Sequence, residues 1–245
     1  MKKVFSPTPV LTGPLHYCPG CTHGIIHRLI AEVVDEMGVQ KNTIGVGPVG
    51  CAVFIWKYFD HDYFQAPHGR AMAVATGVRR ANQDAVIYAY QGDGDFLAIG
   101  CAESIHAAAR NENFTAIFVN NQIYGMTGGQ MAPTTLFGQK ATTCKYGRDP
   151  QLHGHPIKAC EMFATLPGPA FITRTSVHDV KHVLETKKAI QKAFRIQQQK
   201  KGFSLIEIMS ICPTNHHQTV FEQLDFCKNE AIKHYPLGVF KDCEA

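Results

Sequence analysis

Two groups of residues in this sequence have the types and the spacing that chemistry requires. The first begins with Gly92-Asp93-Gly94, which directly follows an apolar run at residues 86–90. A second apolar run, residues 116–119, ends at Asn120-Asn121. The order strand, loop, helix, strand, loop is typical of a right-handed βαβ unit, whose two strands end side by side at one edge of the sheet. We therefore expect Asp93 and Asn121 to face the same ion.

The residue types at this edge suit a hard cation. Mg²⁺ prefers carboxylate and carbonyl oxygens and keeps substrate phosphates in its other positions; Asp93, Asn121 and the backbone carbonyl of Ile123 could supply the protein ligands. Gly92 and Gly94 let the backbone approach a phosphate, and a helix starting after Asp95 would offer free N–H groups. The pattern resembles the thiamine diphosphate and Mg²⁺ motif of thiamine-dependent enzymes. The alternative is a tight turn followed by an Asn-capped loop.

The second group consists of four cysteines. Cys18 and Cys21 form a CxxC turn before a predicted helix, Cys51 follows a predicted strand at residues 43–46, and Cys212 follows another at residues 203–209. Four thiolates are the ligand set of a [4Fe–4S] cluster or of structural zinc, and two nearby histidines keep zinc open. Because the cysteine count is odd, ligation is a better explanation than a disulfide framework. The remaining cysteines are expected to be buried or surface thiols: Cys101, Cys144, Cys160, Cys227 and Cys243.

Two further segments could contribute residues to these two sites. His68-Gly69-Arg70 opens a helix at residues 71–82, so His68 and Arg70 are candidates to contact cofactor or substrate. Residues 45–50 match GxGxxG. A dinucleotide site also needs an acidic residue about twenty positions later, and none is clearly present there. We expect these glycines, Gly50 among them, to let the backbone pass close to whatever Cys51 binds. Before them, residues 24–37 show helical periodicity, with His23 and His27 expected as cap or surface residues.

The order of elements predicts an α/β fold with a doubly wound, mostly parallel sheet in one domain, residues 1–245. Residues 1–17 are expected to form an extended arm, 124–131 a flexible loop and 132–156 an irregular cover or interface arm. A strand at 170–174, a basic helix at 177–200 and the strand at 203–209 follow. Residues 213–245 show no helix–strand alternation, and we expect a tail that reaches over a partner.

The composition and charge of the chain limit the classes of function that we expect. The chain has 245 residues, 45% hydrophobic and 18% charged, which is ordinary for a globular protein. A net charge of +4 is too small to indicate nucleic acid binding, although it suits docking of an acidic redox protein. No apolar run is long enough to span a membrane, and the first residues lack the apolar core of a secretion signal. We expect a cytoplasmic protein with neither nucleic acid nor membrane as a partner.

Six motifs together resemble one family over nearly the whole chain. They are CPGC (18–21), GC (50–51), HGR (68–70), GDGD (92–95), NN with YGMTGGQMAPTT (120–135) and CPTN (212–215). The chain is similar to the β subunit of the 2-oxoacid:ferredoxin oxidoreductases. One departure is Thr22, which stands where the family more often has Gly after CxxC; it should alter turn strain more than ligation.

The resemblance implies a thiamine diphosphate-binding fold and assigns site residues. It places a [4Fe–4S] cluster on Cys18, Cys21, Cys51 and Cys212, and Mg²⁺ on Asp93, Asn121 and the Ile123 carbonyl. His68 and Arg70 are the candidate catalytic residues. The expected cofactor-binding residues are Gly50, His68, Gly92, Asp93, Gly94, Asp95, Asn121, Ile123, Tyr124, Gly125, Met126 and Thr127.

The resemblance also implies the reaction and the partners. The reaction is coenzyme A-dependent oxidative decarboxylation of a 2-oxoacid, with electrons passing through the cluster to ferredoxin. An α subunit would supply the carboxylate that activates the aminopyrimidine, γ or δ subunits could complete the assembly, and this chain alone should be inactive. The apolar segment 52–56, with Lys57 as the nearest basic residue, favours 2-oxoisovalerate over 2-oxoglutarate. The 2-oxoacid, the physiological direction and the subunit composition stay open.

Three alternatives stay open beside this interpretation. One is the 2-oxoglutarate enzyme of the same family. Another is a non-oxidative thiamine diphosphate-dependent decarboxylase or synthase subunit whose cysteines hold structural zinc. The third is a non-catalytic electron-transfer or scaffold subunit. Metal analysis would test the second alternative, and thiamine diphosphate binding would test the third.

Overall fold

A seven-stranded sheet forms the centre of the computed structural model, which describes residues 8–244. The first seven residues of the expected N-terminal arm lie outside the described range. The sheet order is β2-β1-β3-β4-β8-β7-β9, and a small hairpin, β5-β6, lies apart from it. The strands are β1 (Thr43–Gly47), β2 (Asp62–Gln65), β3 (Val86–Gly92), β4 (Thr115–Asn120), β5 (Ile123–Tyr124), β6 (Gln130–Met131), β7 (Phe171–Ser176), β8 (Ser204–Met209) and β9 (Gly238–Asp242).

The strands from β2 to β7 in this order all run parallel, and only β9 pairs antiparallel, with β7. Strands β1, β4, β7 and β8 are buried along their whole length, as expected when helices cover both faces of a parallel sheet. The carboxyl ends of β1, β3, β4 and β8, four neighbours in the sheet, therefore meet at one edge.

Helices cover both faces of the sheet, so the doubly wound, mostly parallel fold predicted from the sequence is confirmed. Helices α1 and α6 pack together on one face, and α2, α3 and α5 cover the other. The helices are α1 (His23–Glu36), α2 (Ala71–Ala81), α3 (Cys101–Ala109), α4 (Pro150–His153), α5 (Ala159–Ala164), α6 (Val180–Gln198), α7 (Pro213–His216), α8 (Val220–Phe226) and α9 (Ile232–His234).

Each face has its own apolar core. On the α1 and α6 side, Ile30, Val34 and Phe194 are fully buried. On the other side, the ring of Phe96 stacks on Phe118 with centroids 4.9 Å apart and on Phe163 at 5.4 Å. No helix within residues 8–244 is both long and apolar enough to cross a membrane.

The C-terminal segment differs from the expected tail. Residues after Cys212 form α7, α8, a π-helical turn and α9, and β9 then adds to the sheet beside β7. The ring of Tyr235 is fully buried and its hydroxyl donates to the Thr134 carbonyl at 2.7 Å. The expectation of an arm without helices or strands was wrong, because these elements are too short to show a clear periodicity.

The structure differs from two smaller expectations and contains one strand that was missed. His23 and His27 are buried rather than capping or exposed: the Tyr90 hydroxyl lies 2.5 Å from His23 Nδ1, and the Tyr17 hydroxyl lies 2.6 Å from His27 Nε2. Residues 124–131 are partly ordered as the β5-β6 hairpin instead of a flexible loop. The missed strand is β2, for which no element was predicted from the sequence. In the described part of the expected N-terminal arm, Leu11 forms an isolated antiparallel β-bridge with Phe59 of the same domain.

A buried polar network ties the sheet to the loop after β4. The guanidinium of Arg174 is fully buried and donates to Glu207 at 2.8 Å and to Glu161 at 2.5 Å. The other carboxylate oxygen of Glu207 accepts from Asn120 Nδ2 at 2.7 Å, and Gln122 Nε2 donates to Asn120 at 2.8 Å. The first Asn of the pair therefore belongs to the core, which leaves Asn121 at the sheet edge.

Replacing Arg174 with Met should destabilise the domain by about 3–5 kcal/mol, because Glu207 would stay buried without its cationic partner. The exposed Arg195 in α6 provides the control. Arg195→Met should change the free energy of unfolding by less than about 0.5 kcal/mol in urea titrations. Equal effects of the two substitutions would show that the buried pair does not carry this stability.

Candidate active site

Loops from three neighbouring strands enclose a cavity at the carboxyl edge of the sheet. They follow β1, β3 and β4, as the βαβ rule predicts, and His68 comes from the loop after β2. The cavity brings together all twelve of the cofactor-binding residues predicted from the sequence. Its lining residues are His23, Pro48, Val49, Gly50, Cys51, Ala52, His68, Gly92, Asp93, Gly94, Asp95, Asn121, Ile123, Tyr124, Gly125, Met126 and Thr127.

Asp93 is the buried charge of this cavity, with 3% of its surface exposed. Its carboxylate accepts the Gly94 N–H at 2.9 Å and the Thr134 hydroxyl at 2.7 Å. Burial raises the pKa of Asp93 to about 7, although these hydrogen bonds and the N–H groups of Gln122 and Ile123 act in the opposite direction. A divalent cation would stabilise the charged form of Asp93. The buried Asp93 carboxylate is therefore better suited to bind a cation than a carboxylate on the surface would be.

Asn121 lines the same cavity as Asp93. Its side-chain oxygen accepts the Ile123 N–H at 3.3 Å, and its backbone carbonyl contacts His216 Nε2 at 3.2 Å. The Asn121 side chain is buried and lines the cavity. One carboxylate and one amide oxygen next to open space form a donor set suited to Mg²⁺ with phosphate oxygens completing its coordination.

The two glycines of the GDG motif meet different steric constraints. A Cβ at Gly92 would meet nothing within 4 Å, so this backbone is open to the cavity. A Cβ at Gly94 would lie 1.9 Å from Cε1 of Tyr124. Gly92 therefore allows close approach of a ligand, whereas Gly94 allows close packing of an aromatic ring against the loop.

The helix after the motif begins earlier than expected. Asp93 caps a π-helical stretch, Gly94–Ile99, which leads into α3. Asp95 is thus inside the first turn, and its buried carboxylate accepts from the Gly69 N–H at 2.8 Å, from the Gln91 side chain and from His68 Nδ1. Asp95 therefore orients His68 at the cavity wall.

Arg70 does not reach the cavity. Its guanidinium lies 2.7 Å from Glu103 on α3 and donates to the Ile99 carbonyl at 3.1 Å. It is not among the residues that line the cavity, and its catalytic role stays a prediction. Its contacts instead fix the start of α2 against α3.

The four predicted cysteines line a second cavity. Cys18 and Cys21 lie on a turn closed by a 3.0 Å hydrogen bond between their backbones, while Cys51 and Cys212 follow β1 and β8. A Cβ on Gly125 would lie 3.1 Å from the Cys51 sulfur and 3.4 Å from the Cys212 sulfur. Gly125 therefore keeps open a space between two thiols that any side chain would enter.

Burial shapes the acidity of these thiols. It raises the pKa of Cys21 to about 12 and that of Cys51 to about 11, and the neighbouring thiols add to both shifts. Thiols grouped in this way remain protonated until cationic iron or zinc stabilises the thiolates. The donor set therefore fits a soft metal centre.

The two cavities share a wall. His23, Cys51, Asn121, Gly125 and Met126 line both of them. Burial lowers the pKa of His23 to about 4, so this wall carries a neutral imidazole near pH 7. A ligand in one cavity would be separated from a ligand in the other by single side chains.

Several residues that support the site were missed from the sequence. Thr134, which binds Asp93, lies in a segment expected only to cover the domain. His16 Nε2 lies 2.9 Å from the Cys51 carbonyl, and Asn215 Nδ2 donates to the Gly125 carbonyl at 2.8 Å and contacts the Cys212 sulfur at 3.5 Å. Asn215 is the last residue of the CPTN motif, so its proximity to Cys212 was the only available signal.

Comparison with known proteins shows the family of the chain. Residues 48–208 match the thiamine pyrophosphate enzyme, C-terminal TPP binding domain. The 2-oxoglutarate synthase subunit KorB of Methanocaldococcus jannaschii is 38% identical over 89% of this chain and 79% of that relative. The ketoisovalerate oxidoreductase subunit VorA of Methanothermobacter thermautotrophicus is 49% identical over 94% of this chain. The chain spans about half the length of that relative, 48%.

A solved structure supports the fold. The 2-oxoglutarate:ferredoxin oxidoreductase of Magnetococcus marinus superposes with a TM-score of 0.77, over 99% of this chain and 87% of that chain. Its sequence identity to this chain is 23%, so this comparison shows only that the two chains share a fold.

Gly94→Ala should destabilise the protein by about 1–3 kcal/mol, because the new methyl group must displace Tyr124. Gly77 in α2 is the matched control, since a Cβ there meets nothing within 4 Å. Gly77→Ala should stabilise by about 0.5–1 kcal/mol. Urea denaturation midpoints measure both, and a Gly94→Ala protein as stable as Gly77→Ala would contradict the tight packing of Tyr124.

Proposed function

This chain belongs to the 2-oxoacid oxidoreductase subunits of the thiamine pyrophosphate enzymes, and we propose that it binds the diphosphate end of thiamine diphosphate beside a [4Fe–4S] cluster. In this proposal the assembled enzyme oxidatively decarboxylates a 2-oxoacid in the presence of coenzyme A. The electrons leave through the cluster to ferredoxin.

The shared wall between the two cavities carries the proposal. A cofactor that releases electrons and a cluster that accepts them must lie close together, and five residues line both cavities. A non-oxidative decarboxylase has no need for a soft metal centre at this wall. The geometry therefore favours an oxidoreductase over a non-oxidative synthase and over a scaffold.

In the cofactor cavity, Asp93, Asn121 and the Ile123 carbonyl would hold Mg²⁺. Bound thiamine diphosphate would supply the electron sink for loss of CO₂. The open backbone at Gly92 and Gly50 leaves space for phosphate oxygens, and Tyr124, Gly125, Met126 and Thr127 form the far wall. His68, oriented by Asp95, lines this cavity and is a candidate for contact with reacting groups.

In the second cavity, the spacing of the thiols supports a cluster rather than zinc. Sulfurs around one tetrahedral zinc lie about 3.8 Å apart, from a Zn–S distance of about 2.3 Å. Among the described residues, no three of Cys18, Cys21, Cys51 and Cys212 have sulfurs within 4.8 Å of one another. A single zinc ion would require these sulfurs to move closer together, whereas a cubane cluster spreads its four ligands more widely.

We propose a branched-chain 2-oxoacid, such as 2-oxoisovalerate, as the substrate. Within the described residues, neither Lys nor Arg lines the cofactor cavity, so the distal carboxylate of 2-oxoglutarate would find no cation from this chain. Lys57 lies over the rings of Phe54 and Trp56 instead. The relative named for ketoisovalerate also shares 49% identity, against 38% for the 2-oxoglutarate synthase subunit. A 2-oxoglutarate enzyme is the second candidate.

The proposal requires partners. An α subunit would bring the carboxylate that activates the aminopyrimidine, and γ or δ subunits could complete the assembly in the cytoplasm. The chain alone should therefore be inactive.

Thr134→Val should weaken Mg²⁺-dependent binding of thiamine diphosphate by about 10–100-fold, because the hydroxyl that orients Asp93 is lost. Thr76→Val is the control, since the Thr76 hydroxyl donates to the Met72 carbonyl within α2. Calorimetry on the assembled complex measures both affinities. Equal affinities of the two variants would contradict the role of Asp93 as a cation ligand.

Cys51→Ala should remove most of the iron and labile sulfide from anaerobically purified complex, while Cys101→Ala should leave both unchanged. Cys101 lies at the start of α3, away from the second cavity. Metal and sulfide analysis measures the result. Zinc without sulfide in the unmodified complex would support the non-oxidative alternative, and iron retained in Cys51→Ala would contradict the assignment of this ligand.

A further inference from the structure

Three side chains that the proposed reaction does not use converge where β7 passes into α6. His178 lies between the two elements, Asp179 caps α6 and His182 lies in its first turn. Each offers a ligand atom, and the three atoms lie within 4.8 Å of one another. Within residues 8–244 this is the one group of three or more His, Cys, Asp or Glu side chains with such close ligand atoms.

The donors have the chemistry of a metal site. Asp179 approaches both rings: one oxygen lies 2.7 Å from His182 Nδ1 and the other 3.2 Å from His178 Nε2. The ring centroids of the two histidines are 4.3 Å apart. Two imidazole nitrogens and one carboxylate bind first-row divalent cations such as Zn²⁺, whereas Mg²⁺ and Ca²⁺ prefer oxygen ligands alone.

Neighbouring groups hold the donors in place. The Ser176 hydroxyl lies 2.7 Å from His178 Nδ1 and within 3.5 Å of the Met209 carbonyl. If His178 Nδ1 carries the proton, it donates to Ser176, and Nε2 is left as the ligand atom. Such a partner on the second ring nitrogen is usual for metal-bound histidines. The His182 N–H donates to Asp179 at 2.9 Å, which fixes the carboxylate at the helix start.

The charges around the group act in both directions. Burial, His182 and Lys228 lower the pKa of His178, while Asp179 acts to raise it, so His178 is neutral near pH 7. The His182 amide and both imidazoles lower the pKa of Asp179, which therefore stays charged. Lys228 and the positive end of α6 oppose a bound cation, so we expect moderate rather than tight binding.

We propose that His178, Asp179 and His182 bind one divalent transition-metal cation of the zinc class, separate from the cysteine cavity. The cation would link the end of β7 to the start of α6. The first residues of α6 also border a groove formed with the Cys21 turn and α1. Open coordination positions would remain for water or for a side chain of a docked partner.

The test uses the anaerobically purified complex with its cysteines occupied, dialysed against Zn²⁺ and analysed for zinc. The wild type should hold one zinc per chain more than Asp179→Asn and His182→Ala. Asn caps helices as well as Asp does, so Asp179→Asn removes the charged ligand without loss of the cap. His106→Ala, a substitution of an exposed histidine on α3, should keep the wild-type zinc content.

Co²⁺ in place of Zn²⁺ identifies the ligands. The proposal predicts visible bands of nitrogen- and oxygen-bound Co²⁺, lost in His182→Ala and retained in His106→Ala. Equal zinc content in the wild type, Asp179→Asn and His182→Ala would overturn it and leave a hydrogen-bonded helix cap. Thiolate charge-transfer bands that persist in His182→Ala would also overturn it, because the metal would then lie on cysteines.

Discussion

The buried carboxylate of Asp93 is the constraint around which the site is arranged. Removal from water raises its pKa to about 7, and the surrounding N–H groups and the Thr134 hydroxyl recover only part of the lost solvation. The fold places this group at the carboxyl edge of a parallel sheet, next to Asn121 and the open backbone at Gly92. A cation there would meet oxygen ligands already in position, and a diphosphate would complete its coordination.

The same edge explains why the second cavity lies so close. Strands β1, β3, β4 and β8 are neighbours and end together, so Cys51 and Cys212 arrive beside the loops that surround Asp93. Gly125 lines both cavities. Its lack of a side chain leaves room between two sulfurs in the cysteine cavity, and its loop lines the cofactor cavity. In the proposed function, electrons would cross this wall from the cofactor cavity to the cysteine cavity.

Much of this arrangement could be predicted from the sequence because it follows from local patterns and one topological rule. The GDG and NN motifs mark strand ends, and right-handed crossovers place those ends together, which is why Asp93 and Asn121 meet. The burial of His23 could not be predicted in this way, because it depends on the distant Tyr90. Thr134 reaches Asp93 through a loop without periodicity, and Arg70 turns to Glu103, a partner that spacing does not reveal. The short C-terminal helices gave no repeating pattern either.

The measurement that tests the account most directly is the visible spectrum of the anaerobic complex, with thiamine diphosphate and Mg²⁺, before and after a 2-oxoacid and coenzyme A are added. The account predicts about four irons per chain on these cysteines. It also predicts bleaching of the cluster absorbance that requires thiamine diphosphate, and that is greater with 2-oxoisovalerate than with 2-oxoglutarate. An iron-containing complex whose spectrum no 2-oxoacid changes, or a colourless one that holds zinc, would contradict electron transfer from the cofactor cavity to the cysteine cavity.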